Sequence, residues 1–266
     1  MTEDIEKAIF KLTNGKAPER LGLTAEHLKH GGNAVINYIT DILNNMRKNC
    51  HVPDILKTGL LTAVLKKDKD KRLPGNYRGI AVTPIISIIM GHSEPKLKHT
   101  QNALQTGFTE ETAGIIATEA ICEAKDNGVA MCFITLDAEK AFDVLGLEHI
   151  MCKLYHDGLM DDLCNFIRIL QTESITKIKW RGKLGDIFFN RQGIRQGAKL
   201  SPSLYKRYNN QLLNTLTTHN AGAKIGTTFI GAPTVADDIA LIAFNPTDLQ
   251  CVLKIVANET ARQSNY

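Results

Sequence analysis

The stretch "PTVADDIALIA", Pro233 to Ala243, decides how this chain reads. Asp237 and Asp238 interrupt an apolar run made of Val235, Ala236, Ile239, Ala240, Leu241, Ile242 and Ala243. A run of this kind predicts a buried strand or hairpin. Adjacent carboxylates in such a place repel each other and resist losing water. Their placement therefore asks for a positive partner.

A second acidic site points to one. In "ITLDAEKAFD", Asp137 ends an apolar strand expected over Ala130 to Leu136, and Asp143 follows about one helical turn later. If that strand lies beside the hairpin of Asp237 and Asp238, three carboxylates converge. Divalent cations then turn repulsion into attraction. All-oxygen sites suit magnesium, which keeps water and substrate phosphate among its ligands. Two such ions about 3.5–4 Å apart can activate a hydroxyl and stabilise a leaving phosphate. Taken singly, the features also fit plainer roles. The Asp pair fits a turn, Asp137 fits the cap of the following helix, and Asp143 fits a solvated or capping residue.

Composition sets wide bounds. The 266 residues suffice for one large domain or two modest ones, and 43% are apolar, enough for a real core. Net charge is +4, from 32 basic against 28 acidic residues, a mild lean toward a polyanionic partner. Six cysteines (Cys50, Cys122, Cys132, Cys152, Cys164, Cys251) lack zinc-knuckle spacing and are expected as reduced, buried thiols in an intracellular protein, nuclear or cytoplasmic. No signal peptide stands out, and the longest apolar run, Ile80 to Met90, contains Pro84 and is too short to span a bilayer.

The pattern along the chain alternates helices and strands, an α+β layout. Helices are expected near Thr2–Leu12, Asn33–Lys48, Asp161–Leu170, Ser201–Asn220 and from Thr247 onward. "TGLLTAVLKK" predicts a strand running into a basic turn, and "TKIKWRGKLGDIFFNRQGIRQG" a β-hairpin ending in a glycine loop.

Three motifs then occur in order: "LDAEKAFD", "IRQGAKLSP" and "VADDIALI", preceded by "NGKAP", "NYRGIAVTPIISIIMGH" and "QTGFTE". With this set, the sequence resembles the reverse transcriptase domain of non-LTR (LINE-type) retrotransposons over nearly its whole length. The resemblance implies a right-hand polymerase with fingers, palm and thumb. Residues 1–125 would form the fingers region and its connection. Residues 126–266 would form the palm, with a hairpin at 174–194 and motif loops at 137–143, 195–202 and 235–238. It further implies RNA-directed DNA synthesis with an RNA template, a DNA primer, deoxynucleoside triphosphates and two Mg2+ ions, for which Mn2+ could substitute.

By the same resemblance Asp137 matches the first metal-binding aspartate, Asp237 the second and Asp238 its neighbour. Phe142 matches the aromatic that selects deoxyribose, although its type also fits a core residue. Arg195, Gln196 and Gly197 match the loop that packs against the nucleotide and templating base, where glycine permits close backbone approach. Lys66 and Arg78 match basic fingers residues that neutralise the triphosphate. Gln105 and Phe108 match a motif near the template path and are expected to be structural.

The sequence departs from the family pattern at "GKAPERLGL", where a Gly-Pro-Asp-Gly turn is usual, in the short stretch after "GFTE", after "FDV", and at Ala198 and Lys199. None of these removes a metal ligand. No match to the next palm motif follows the last helix, so an incomplete palm without a thumb is expected. Leu249, Val252, Leu253 and Val256 would then lack a covering strand and leave an apolar edge. Weak, salt-sensitive nucleic-acid binding with little extension is the resulting expectation. Two alternatives stay open: a catalytically inactive truncated copy that at most binds nucleic acid, and an intron-maturase-like palm polymerase.

Overall fold

The computed structural model describes the chain except at positions 1, 17, 20–21, 94–100, 108–112, 160–161, 173, 181, 191, 195–197, 199 and 265–266. In chain order the described elements begin with α1 (Thr2–Phe10), α2 (Ala25–His30), α3 (Gly32–Lys48) and α4 (Asp54–Lys57). Strands β1 (Thr58–Leu65) and β2 (Tyr77–Val82) precede α5 (Ile85–Ser93), α6 (Ala113–Asp126), β3 (Cys132–Leu136), α7 (Leu147–His156) and α8 (Asp162–Gln171). The hairpin β4 (Ile175–Trp180) and β5 (Lys183–Phe189) leads to α9 (Ser201–His219). The short strands β6 (Lys224–Ile225), β7 (Thr228–Phe229) and β8 (Thr234–Val235), then β9 (Asp238–Ala243) and α10 (Pro246–Ser264), complete the mixed α+β chain.

These elements group into two compact units. The first comprises Met1–His99, Phe142–Leu147 and Leu154–Ser203. Its helical core follows from periodicity: Ile5, Ala8 and Ile9 on α1, and Ile36, Ile39, Leu43 and Met46 on α3, face inward at helical spacing. They pack with Ile89 of α5 and Phe166 of α8. Each fully buried side chain of this size stabilises the fold by roughly 1.5–3 kcal/mol. Arg47 and Lys48 close the last turn of α3, where cations favour the helix dipole. The sheet of this unit runs β2-β1-β4-β5. β1 pairs antiparallel with β2 and parallel with β4, with Leu61 opposite both Ala81 and Ile178. The hairpin expected with the palm segment is thus hydrogen-bonded to β1. The compact units do not follow a cut at residue 125.

The second unit comprises Thr100–Ala141, Glu148–Lys153 and Leu204–Tyr266. Its sheet runs β3-β9-β8. One face, carrying Ile134, Leu136, Ile239 and Leu241, packs on Leu212, Leu213 and Leu216 of α9 and Val252 of α10. The other face meets Ala120 of α6 through Ile242. Val252 is wholly buried, and Leu249, Leu253 and Val256 pack against the same cluster. These residues therefore do not form the exposed apolar edge expected of them, because α10 turns its apolar stripe onto β9 and β3.

The cysteines also correct the expectation. All six are free, yet none is buried: Cys122, Cys152 and Cys251 are exposed on α6, α7 and α10, and the others are half-buried. The three exposed ones occupy outward helix positions that the apolar stripes leave to solvent, while Cys50 follows α3 and Cys132 opens β3. Among the described residues no helix is long and apolar enough to cross a membrane.

Candidate active site

β8 and β9 form a tight hairpin, with Thr234 opposite Ile239 and Val235 opposite Asp238. Ala236 and Asp237 are the two turn residues between them. Ala236 has φ 57°, a left-handed conformation that costs an L-residue about 1–2 kcal/mol. The acidic pair is therefore not buried within a strand: Asp237 is half-buried in the turn and Asp238 is exposed at the first position of β9. The apolar run expected to bury both instead starts one residue later, at Ile239.

Asp137 reaches the same end of the sheet. β3 pairs antiparallel with β9, and its last rung sets Leu136 opposite Ile239. The next position along β3 is Asp137, which is exposed, and the preceding position along β9 is Asp238. The strand pairing thus brings the backbone of Asp137 to the sheet end that carries Asp237 and Asp238. Asp238 registers this approach. Partial burial pushes its carboxyl above the usual carboxylate range, and the charges of Asp237 and Asp137 push it further.

The surroundings of the turn were not legible as site residues. Tyr205 of α9 is buried, and its hydroxyl is pushed up to about 12, chiefly by burial, with Asp237 and Asp238 adding to the effect against a hydrogen bond from Asn209. Asn209 also donates a long hydrogen bond to the Ala236 carbonyl, 3.4 Å. Gln105, buried at 2% exposure, bonds to both backbone groups of Ala236. The only sequence signal for these partners was the motif containing Gln105; nothing marked Tyr205 or Asn209.

Other expected site residues lie in the first unit. Arg78 is exposed on β2 opposite Val64. Lys66 follows β1, with its backbone N–H donating to Asn76 at 2.8 Å and its Nζ to the Gly75 carbonyl at 3.3 Å. Alternation along the strand puts Lys66 on the face of Val64, and so of Arg78. Both cations therefore belong to one face of the β1–β2 hairpin. Phe142 is half-buried in a loop tied to the segment after β5. Its carbonyl accepts from Ile194 at 2.8 Å, and that of Leu145 from Gly193 at 3.0 Å. Gly193 has φ 80°, and a Cβ there would meet the carbonyl oxygens of Phe142 at 2.5 Å and Asp143 at 2.7 Å. Beside this loop lies a cavity of about 240 Å³, lined by Leu61, Gly79, Ala81, Asp143, Phe188 and Ile194 among others. Arg195, Gln196, Gly197 and Phe108 lie outside the described residues.

Among the described residues no group of three or more His, Cys, Asp or Glu side chains is drawn together closely enough to hold an ion by itself. The aspartates nevertheless sense each other's charge, since electrostatic influence outlasts ligand distance. Magnesium commonly takes only one or two protein carboxylates and completes its shell with water and phosphate. An all-carboxylate set, exposed at Asp137 and Asp238 and half-buried at Asp237, fits that ion.

Solved structures share this mixed α+β fold. The chain resembles apo telomerase from Candida tropicalis truncated from its C-terminal domain, with TM-score 0.54 and 15% identity over 84% of this chain and 51% of that one. It resembles telomerase from Candida albicans, solved with a fragment of telomeric RNA, with TM-score 0.54 and 11% identity over 82% and 43%. At such identities the likeness is one of fold.

Residues 64–265 match the family described as Reverse transcriptase (RNA-dependent DNA polymerase), and the chain belongs to it. It is a reverse transcriptase domain of the non-LTR retrotransposon kind. The Pol polyprotein of the R2 element of Popillia japonica is 27% identical over 217 residues, 78% of this chain and 30% of that protein. The R2DM Pol polyprotein of Drosophila melanogaster is 32% identical over 123 residues, 46% and 12% of the two chains. The 149 kDa protein of transposon TX1 from Xenopus laevis is 23% identical over 261 residues, 93% and 20%. The chain thus spans less than a third of the length of these relatives.

Proposed function

We propose that this domain carries out RNA-templated DNA synthesis, extending a primer 3′-hydroxyl with deoxynucleoside triphosphates. The observation that carries the proposal is the register of β3 and β9, which brings Asp137 to the Asp237–Asp238 turn. In this reading the second unit is the palm and the β1–β2 hairpin belongs to the fingers of a right-hand polymerase. Asp137, Asp237 and Asp238 would hold two Mg2+ ions, or Mn2+ in their place. The ions would supply charge neutralisation at the phosphates and a more acidic primer hydroxyl.

The chain's own residues do the remaining work. The three aspartates stand at one sheet end, where the repulsion that Asp238 feels from Asp237 and Asp137 favours a cation. Lys66 and Arg78 present two cations on one hairpin face for the triphosphate. Phe142, in a loop fixed through Gly193 and Ile194, screens the sugar by size. Arg195, Gln196 and Gly197 complete the contacts to nucleotide and templating base.

Extension of a DNA primer on an RNA template, with deoxynucleotides against ribonucleotides, tests the proposal. Preferential deoxynucleotide addition is expected; equal or preferred ribonucleotide addition would contradict it.

A further inference from the structure

The turn bearing Asp237 has no glycine, although Ala236 holds a left-handed φ of 57°. Something outside the turn must fix it. The carboxamide of Gln105 meets both backbone groups of Ala236: its Nε2 donates to the Ala236 carbonyl at 3.0 Å, and its Oε1 accepts from the Ala236 N–H at 3.0 Å. The same Oε1 accepts from the Gly107 N–H at 3.1 Å. The backbone around Gln105 is held in turn. Thr106 donates to the Thr234 carbonyl and Thr234 to that of Leu104, each at 2.8 Å, and Gln105 bridges Thr234 in parallel.

Residues 104–106 therefore lie against β8 as a short parallel neighbour, and the Gln105 side chain continues the pairing one step past the backbone. At 2% exposure, water cannot substitute for it. A Cβ on Gly107 would come within 2.1 Å of the Ala236 nitrogen, so the approach is close enough to demand glycine. Gln101 donates to the Gln105 carbonyl and accepts from Lys206 of α9 at 3.2 Å, which ties the arrangement to a long helix.

Resting on the functional reading above, we infer that Gln105 is a positioning residue that sets the Ala236 peptide groups and thereby the direction of the Asp237 carboxylate. A carboxamide carries a donor and an acceptor side by side, which matches the carbonyl and N–H that Ala236 presents. Gln105→Met keeps the shape and removes both contacts, whereas Gln105→Glu keeps the acceptor and donates only while its carboxyl is protonated.

The test joins amide exchange with single-turnover addition of one deoxynucleotide. In Gln105→Met the Ala236 amide is expected to exchange about tenfold faster or more, while α10 amides stay as protected as in the wild type. The rate of addition should fall about ten- to a hundredfold with the nucleotide KM within about twofold, because displaced catalytic groups affect chemistry more than binding. Gln105→Glu should keep most of the Ala236 protection and recover part of the rate, and it decides the matter should Gln105→Met fail to fold. Wild-type protection at Ala236 in a folded Gln105→Met, or faster exchange with an unchanged addition rate, would overturn the inference. A wild-type chain without Asp237-dependent addition would sink the functional reading, and the exchange data alone would then decide whether Gln105 sets the turn.

Discussion

Leu136 stands opposite Ile239 in the antiparallel pairing of β3 and β9, and one step beyond that rung stand Asp137 and Asp238. Two segments far apart in sequence thus deliver like charges to one sheet end. The apolar rungs Ile134–Leu241 and Leu136–Ile239, packed on α9 and α10, hold that register. A slip of one residue would turn these side chains to the opposite face and separate the acids, so the core and the site are specified by the same pairing.

Substituting Asp137→Asn or Asp237→Asn should weaken Mn2+ binding about tenfold or more, since each removes one charge and one ligand from the set. Titration followed by the electron paramagnetic resonance of free Mn2+ measures it directly. Unchanged affinity in both variants would remove these residues from the metal site.

Asp238 predicts a pH dependence of stability. Its carboxyl is raised by partial burial and by Asp237 and Asp137, so the folded state binds this proton more tightly than the unfolded state. Ionised Asp238 therefore lowers stability above its folded pKa. The penalty fades as pH falls through that value and is gone below the ordinary value of about 4. Asp238→Asn should raise Tm at pH 7 by about 1–3 °C, a modest figure because the group is exposed. The gain should vanish near pH 3 by calorimetry; a gain that grows on acidification would show the sign to be wrong.

Gly193→Ala tests the loop that carries Phe142. A Cβ at φ 80° would meet two carbonyl oxygens inside 3 Å, at 2.5 and 2.7 Å, and the nearer, that of Phe142, is held by its hydrogen bond from Ile194. A loss of about 2 kcal/mol or more is expected, read as the midpoint of urea unfolding. A neutral substitution would mean that the loop relaxes freely.

How much of this was legible in the sequence depended on range. "TGLLTAVLKK" announced β1, realised as Thr58–Leu65, and the run from Asn33 announced α3, because local periodicity carries both. The convergence of Asp137 with Asp237 and Asp238 was legible as two apolar segments ending in acid. The parallel pairing of β1 with β4 was not, since parallel neighbours share no turn whose residues could announce them. Gln105 was readable only as part of a motif and expected to be structural, because a side chain that bonds to a distant backbone leaves no periodic trace. The solvent-facing cysteines escaped for a similar reason: residue type suggested burial, while helix phase decided against it.

Phe142→Ala should raise ribonucleotide relative to deoxynucleotide incorporation about tenfold or more, if the half-buried ring screens the 2′-hydroxyl. Competition between the two nucleotides in one extension reaction measures the ratio. An unchanged ratio in an active variant would return the ring to a packing role.

The most direct test of the central claim is single-turnover addition of one deoxynucleotide to a primer on an RNA template, with protein in excess, for the wild type and Asp237→Asn. The account predicts slow, Mg2+-dependent addition by the wild type and a rate lower by roughly three orders of magnitude or more in Asp237→Asn, with the fold intact by circular dichroism. Addition that survives Asp237→Asn would contradict it.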